Sequence, residues 1–215
     1  MANLYVIRKA GDDKVSPDHI LTLADKAEIE YYPWDKNGYM PKTEARAVFT
    51  EKGFHLLLIS HENEILASRK NMNDPVCRDS CMEFFFNPDP ENNNKYFNFE
   101  FNPLGTLYLG VGKSRLEHMK IADTAPEMFR IRPSIFTNSA ENFSSQIWSI
   151  QFFIPFGFIE KYFGKLKFGS GMNMTGNFYK CAEDTKHPHF GCWNKITSDV
   201  PDFHRPECFG NLILE

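Results

Sequence analysis

The sequence has no run of about 18 consecutive apolar residues, the length a helix needs to cross a bilayer, so no membrane partner is expected. Positive charge is in short supply. The 24 Lys and Arg stand against 28 Asp and Glu, for a net charge of −4 and a pI near 6.0. A phosphate backbone is held by clustered basic residues, so nucleic acid is excluded as an expected partner. The opening residues, MANLYVIRKAGDDKVSP, lack the apolar centre of a secretory signal. A cytoplasmic location follows as the expectation, or a secreted one had a signal been removed. Cysteine is sparse and odd in number: Cys77, Cys81, Cys181, Cys192 and Cys208 cannot all pair within one chain. A chain of 215 residues needs no stapling, so reduced thiols are expected. No internal repeat, low-complexity tract or linker breaks the sequence, and residues 1–215 read as a single domain. Nor is there a phosphate-cradling loop. Gly110-Val111-Gly112-Lys113-Ser114 lacks the upstream Gly of a P-loop, which removes a nucleotide role.

Aromatic residues are plentiful, with 21 Phe, eight Tyr and three Trp, and they favour strands over helices. The clearest strand signal runs from Tyr96 to Val111. Phe97, Phe99 and Phe101 alternate with Tyr96, Asn98 and Glu100, the period of a strand with one apolar and one polar face. Asn102-Pro103-Leu104-Gly105 has the residues of a tight turn. Leu107, Leu109 and Val111 resume the alternation, completing a hairpin. Glu44–Thr50 and Phe54–Glu62 form a second hairpin across Glu51-Lys52-Gly53, and Cys81–Phe86 and Trp148–Ile154 read as further strands. Asp35-Lys36-Asn37-Gly38 is another turn signal. Residues 63–78, 113–128 and 182–208 read as irregular, and only Pro155–Phe163 reads as a short helix, opened by a Pro suited to a first turn. The expected fold is therefore all-β, an antiparallel, jelly-roll-like β-sandwich with one short helix.

Five segments in this order carry a resemblance: Asp79-Ser80-Cys81-Met82-Glu83-Phe84-Phe85, Tyr96 to Gly105, Trp148 to Phe156, Met172-Asn173-Met174-Thr175, and Phe209-Gly210-Asn211-Leu212. The chain resembles the family 9 carbohydrate-binding modules and their DOMON-like relatives over nearly its whole length. The resemblance implies a β-sandwich that grips a terminal sugar unit between two aromatic rings while charged and amide side chains read its hydroxyls. Such modules accompany secreted glycoside hydrolases, and structural calcium occurs in them. By the resemblance, Glu83 is the ligand-binding carboxylate and Phe203 is one of the two rings. The second ring falls near Val76 or Cys77, where no aromatic stands. Glu100 occupies a place where a basic residue is expected, and Thr175 one where an amide is expected.

The residues themselves add a second argument. If the strands around the 88–94 loop pair in a symmetric register, Glu83 lies opposite Glu100, with Cβ atoms roughly 4.5–5.5 Å apart. Like charges so placed repel unless a cation, a hydroxyl donor or a shared proton intervenes. Lys180, a metal ion or sugar hydroxyls would each serve; the plainer alternative is a slipped register with both carboxylates solvated. Among the tryptophans, Trp148 falls on a core period, Trp34 adjoins Tyr31 and Tyr32, and Trp193 sits in a His-rich loop as the replacement for the missing ring, with packing under that loop as the alternative.

Other chemistries are weaker. Cys181, His187, His189 and Cys192 offer a zinc-like donor set, but their spacing fits no common zinc pattern and Pro188 restrains the two histidines; buried cysteines and a solvated loop are the alternative. Cys208 and His204 flank Pro206, so they do not share a helix face as a nucleophile and base would. The expected function is non-catalytic binding of a mono- or oligosaccharide in carbohydrate catabolism, through Glu83, Asn98, Glu100, Thr175, Lys180, Trp193 and Phe203. The alternatives are a stand-alone glycoside hydrolase or accessory enzyme using the carboxylate pair, and a protein-interaction module marked by an exposed apolar patch.

Overall fold

The structure, a computed structural model, describes residues 2–11, 14–137 and 146–215. Its strands run in chain order as β1 (Leu4–Lys9), β2 (Ala27–Ile29), β3 (Thr43–Phe49), β4 (Gly53–Glu62), β5 (Cys81–Asn87), β6 (Tyr96–Phe101), β7 (Leu107–Gly112), β8 (His118–Lys120), β9 (Arg132–Thr137), β10 (Gln146–Pro155), β11 (Asn173–Ala182), β12 (His189–Cys192) and β13 (Gly210–Leu214). Two short helices join them, α1 (Pro17–Leu23) and α2 (Phe156–Phe163). Among the described residues, no helix is long and apolar enough to cross a membrane.

Hydrogen bonding orders the strands as β8-β7-β6-β5-β11-β13-β1-β3-β4-β10-β9, with β12 added to β11 and β2 to β3. The strand β1 serves both halves. Its residues Leu4–Ile7 run parallel to Asn211–Leu214, and then Arg8 and Lys9 pair with Val48 and Phe49. The sheet therefore curls as a half-barrel, broadly sandwich-like, instead of splitting into the two separate antiparallel sheets expected from sequence. The first helix, α1, is a further difference. Its signal is present in the sequence, because Ser16 is a capping residue and Pro17 opens the first turn. The Ser16 hydroxyl accepts from the His19 amide at 3.2 Å. Two stretches read as irregular hold the short strands β8 and β12, each only three or four residues long and without a period to reveal it.

Both anticipated hairpins form. Phe49 pairs with Phe54, and Phe101 with Leu107. In the second, the Gly105 amide donates to the Asn102 carbonyl at 2.9 Å. Gly105 takes a φ of 78°, a conformation that favours a residue with no Cβ. The phenylalanine excess fills the space between the two halves of the sheet. Phe84, Phe86, Phe97, Phe99 and Phe101 face Leu56, Leu58, Trp148, Ile150 and Phe152 across one continuous core, with the Phe101 and Phe152 rings 4.5 Å apart. Each such side chain contributes roughly 1.5–3 kcal/mol by leaving water.

The period read for β6 is correct, but its polar face is not solvated. All six residues of β6 are buried. Loop residues including Val76, Ile196 and Phe203 pack over that outer face with Phe85, Tyr96 and Tyr179, forming a second apolar cluster. The Asp79-Ser80 pair helps to hold this cover in place. Buried Asp79 accepts from the Ser68 and Arg69 amides and from Asn102 Nδ2, all within 2.9 Å. These segments turn an ordinary strand face into the floor of a pocket.

Candidate functional site

The registers of β5, β6, β7 and β11 lay one row of side chains across the outer face. Tyr179 stands opposite Glu83, Glu83 opposite Glu100, and Glu100 opposite Tyr108. The symmetric register inferred from sequence is the one observed. Above the two carboxylates lies a cavity of about 160 Å³, walled by Phe203, Phe190 and Cys77 and rimmed by Arg115, Glu183, Asp202 and His204.

Each carboxylate has a local partner. Glu100 Oε1 accepts from Asn98 Nδ2 at 2.7 Å, and Glu83 Oε1 accepts from the Cys181 thiol at 3.0 Å and lies 3.8 Å from the Cys81 sulfur. Burial pushes the Glu83 carboxyl up to about 7, although its thiol partners favour the ionised form. Burial, and then the charge of Glu83 across the strand, push Glu100 well above the usual carboxylate range. Burial and mutual repulsion thus both favour a proton on this pair of facing carboxyls. Such a pair offers a ligand hydroxyl both a donor and an acceptor.

The rim is also paired. Arg115 binds Asp202 through two nitrogens at 3.0 and 3.1 Å, linking the 113–117 and 199–203 loops over the pocket. The Tyr96 hydroxyl and His204 Nδ1 are 2.8 Å apart. Burial lowers His204 to about 3 and His118 to about 4, so both rings are neutral near pH 7. His118 crosses β7 at a glycine. A Cβ on Gly110 would stand 2.0 Å from His118 Cε1.

Aromatic rings close the other wall. Phe203 lies flat on Tyr179, with centroids 4.1 Å apart and planes 6° apart, and the half-buried Trp34 and Phe190 rings approach it at 6.0 and 6.3 Å. Trp34 is anchored by its Nε1, which donates to the Ser198 carbonyl at 2.7 Å.

Of the residues singled out from sequence, Glu83, Glu100 and Phe203 meet in this cavity, and Asn98, beside Glu100 on the same face of β6, donates to its carboxyl. Thr175 shares the outer face but lies opposite Asn87, four residues along β11 from Tyr179 and outside the cavity wall. Lys180 is misplaced by the sequence reading. It follows Tyr179, so the two-residue period turns it to the inner face. There its ammonium lies 3.2 Å from Glu62 and donates to the Cys181 carbonyl at 2.9 Å. Both partners of this ion pair are fully buried.

Trp193 needs the same correction. Its amide donates to the Phe178 carbonyl, continuing the β12 ladder by one residue and turning the indole inward against Tyr5 and Phe178. It does not replace the missing ring; Cys77 occupies that part of the wall, and Trp34 is the indole that reaches Phe203. Arg115, Glu183, Asp202 and His204 were not singled out as site residues, because they come from loops with no period to place them. The zinc-like set of residues 181–192 does not converge. Cys181 and Cys192 lie on the outer face, while His189 pairs with Ala182 on the inner one and its Nδ1 engages the His187 carbonyl at 2.8 Å.

Other cavities lie away from this row of side chains. A larger one, about 410 Å³, is bordered by Lys14, Arg130 and Arg132, and the Phe153 ring in its lining lies beneath the Arg130 guanidinium at 4.7 Å. Another, about 280 Å³, lies over Tyr39, Glu62 and His189, but Glu62 is already engaged by Lys180, Trp148 and Ser80.

The sequence model described as carbohydrate-binding family 9 matches residues 18–214. No curated protein matches the chain. Among solved structures, a candidate carbohydrate-binding protein from Bacteroides uniformis ATCC 8492 is similar with a TM-score of 0.83 and 23% identity, covering 100% of both chains. A family 9 carbohydrate-binding module from Caldicellulosiruptor kristjanssonii, solved with cellotriose, gives a TM-score of 0.60 at 8% identity, over 99% of this chain and 94% of that one. The same organism's family 9 module with glucose gives 0.61 at 9% identity, over 99% and 96%. At these identities the likeness is one of fold.

Proposed function

Because the chain belongs to carbohydrate-binding family 9, whose modules bind without catalysing, we propose that it holds a terminal sugar unit in the cavity above Glu83 and Glu100. The observation that carries this reading is the convergence of three features: two directly opposed, buried carboxyls on the floor, the Phe203 ring in the wall, and an enclosed space between them. Hydroxyls meet the carboxyl pair, which can donate and accept at once, and the apolar face of the sugar meets Phe203. The volume also supports a single unit. The cavity holds about 160 Å³. Pockets that enclose drug-sized ligands start at roughly 300 Å³, so a longer glycan would enter this one by one end only.

The related modules solved with glucose and cellotriose make these two sugars the natural first ligands. Affinity is expected between roughly micromolar and millimolar, because a single sugar buries little area. Isothermal titration calorimetry against a panel of mono- and oligosaccharides, with and without calcium, tests the reading. A saturable heat with one sugar, lost in Glu83→Ala, supports it. Folded protein that gives no heat with any sugar overturns it.

A further inference from the structure

We propose that the floor of the outer cavity is a binding site for a thiophilic divalent cation of the Zn²⁺ class, with Cys81, Cys181 and Glu83 as its three protein ligands. The site is assembled by strand pairing. Cys181 stands opposite Cys81 across β11 and β5, and Glu83, two residues further along β5, projects from the same face. One ligand atom from each of the three lies within 4.8 Å of the others.

The spacing suits a tetrahedral ion. Zinc–sulfur and zinc–oxygen bonds of about 2.3 and 2.1 Å put sulfur and oxygen about 3.6 Å apart along a tetrahedral edge. Glu83 Oε1 lies 3.0 Å from the Cys181 sulfur and 3.8 Å from the Cys81 sulfur, on either side of that value. Small movements of side chains bring both to it. Two sulfurs and one oxygen select a borderline or soft cation such as Zn²⁺, and disfavour calcium and magnesium, which take oxygen ligands.

The surroundings supply the rest of what a metal site needs. Glu83 and Cys181 line the cavity, so a fourth coordination position opens on it, the arrangement of a site with an exchangeable ligand. Glu100, opposite Glu83, adds a second carboxyl that a cation stabilises. Arg115, the nearest rim cation, is already engaged by Asp202. Binding forms two metal–sulfur bonds and one metal–oxygen bond in place of metal–water bonds, and it releases to solvent the two thiol protons and any proton held on the Glu83 carboxyl, with no change of oxidation state.

The donors are not those of the zinc-like set in residues 181–192; only Cys181 is shared. The inference is also separable from sugar binding, since a metal titration needs no sugar and a sugar titration of stripped protein needs no metal.

The test is a titration of reduced, chelator-stripped protein with Co²⁺, whose thiolate complexes show sulfur-to-metal charge transfer in the near ultraviolet and intense tetrahedral bands in the visible. The expected result is saturation at one equivalent, with bleaching by Zn²⁺. Cys81→Ser and Cys181→Ser should each lower the affinity by more than the roughly 10–100-fold that loss of an outer-sphere partner costs. Cys192→Ser, which removes a buried thiol outside the cluster, should leave it unchanged, and circular dichroism establishes that each variant is folded. Absence of charge transfer in the wild type, or undiminished binding in both cluster variants, overturns the proposal.

Discussion

Removing the Lys180 ammonium should damage stability and leave the cavity over Glu83 and Glu100 intact. Lys180 and Glu62 are fully buried on the inner face, 3.2 Å apart, with Glu62 also accepting from Trp148 Nε1 and from the Ser80 hydroxyl. Lys180→Ala leaves the buried Glu62 carboxylate without its counter-charge, and breaking a buried pair in this way costs about 3–5 kcal/mol. It also leaves a void where the four-carbon stem was. For a domain of this size each kcal/mol moves the midpoint by about 2–4 °C, so differential scanning calorimetry should record a fall of about 6–20 °C. Replacing both charges, as in Lys180→Met with Glu62→Gln, should recover part of the loss, because the isolated charge is then gone. Below the transition, sugar affinity should match the wild type. A shift of less than about 2 °C, or a loss of affinity with stability unchanged, would refute the placement of Lys180 in the core.

Three further outcomes are expected. In metal-free protein, the raised pKa of Glu83 means that folding favours its protonated form. Stability from this group is full below pH 4.5 and is lost as pH rises through about 7, by on the order of 3 kcal/mol. Chemical denaturation near pH 5 and pH 8 should show the decline, and Glu83→Gln should flatten it; a parallel decline in that variant assigns the effect elsewhere. Gly110→Ala places a methyl 2.0 Å from His118 Cε1. The overpacking should cost about 1–3 kcal/mol, seen as a lower thermal midpoint with the His118 ring resonance displaced. Phe203→Leu keeps apolar bulk against Tyr179 but removes the stacking face. It should weaken sugar binding several-fold while costing less than about 1.5 kcal/mol of stability by denaturation.

Where the chain repeats with a two-residue period, the sequence places residues well. The Phe97-Phe99-Phe101 alternation and the turn residues around Gly105 locate a hairpin, and the register of β5 on β6 sets Glu83 against Glu100. The same period, applied to β11 and β12, turns Lys180 and Trp193 away from the site. Nearness in sequence to attractive residues is a poorer guide to both than that period. What no local pattern could supply is the cover. Residues 63–78 and 182–208 contain few alternations, yet they bury the polar face of β5 and β6 and bring Asp202 and His204 over it from over 100 residues away. Strand β1 is similarly hidden, since its role in both halves depends on parallel partners far along the chain, at Val48 and Phe49 and at Asn211–Leu214. The family motifs are partly scaffold: Asp79 and Asn102 tie loops together, whereas Glu83 and Phe85 of the first segment line the cavity.

The central claim, a sugar seated between the Glu83–Glu100 pair and Phe203, is tested most directly by following backbone amide resonances of labelled, metal-stripped protein as the sugar found by calorimetry is added. The account predicts saturable shifts concentrated at Glu83, Glu100, Cys181, Asp202 and Phe203. Shifts confined to the basic cavity at Arg130 and Arg132, or none at saturating sugar, would contradict it.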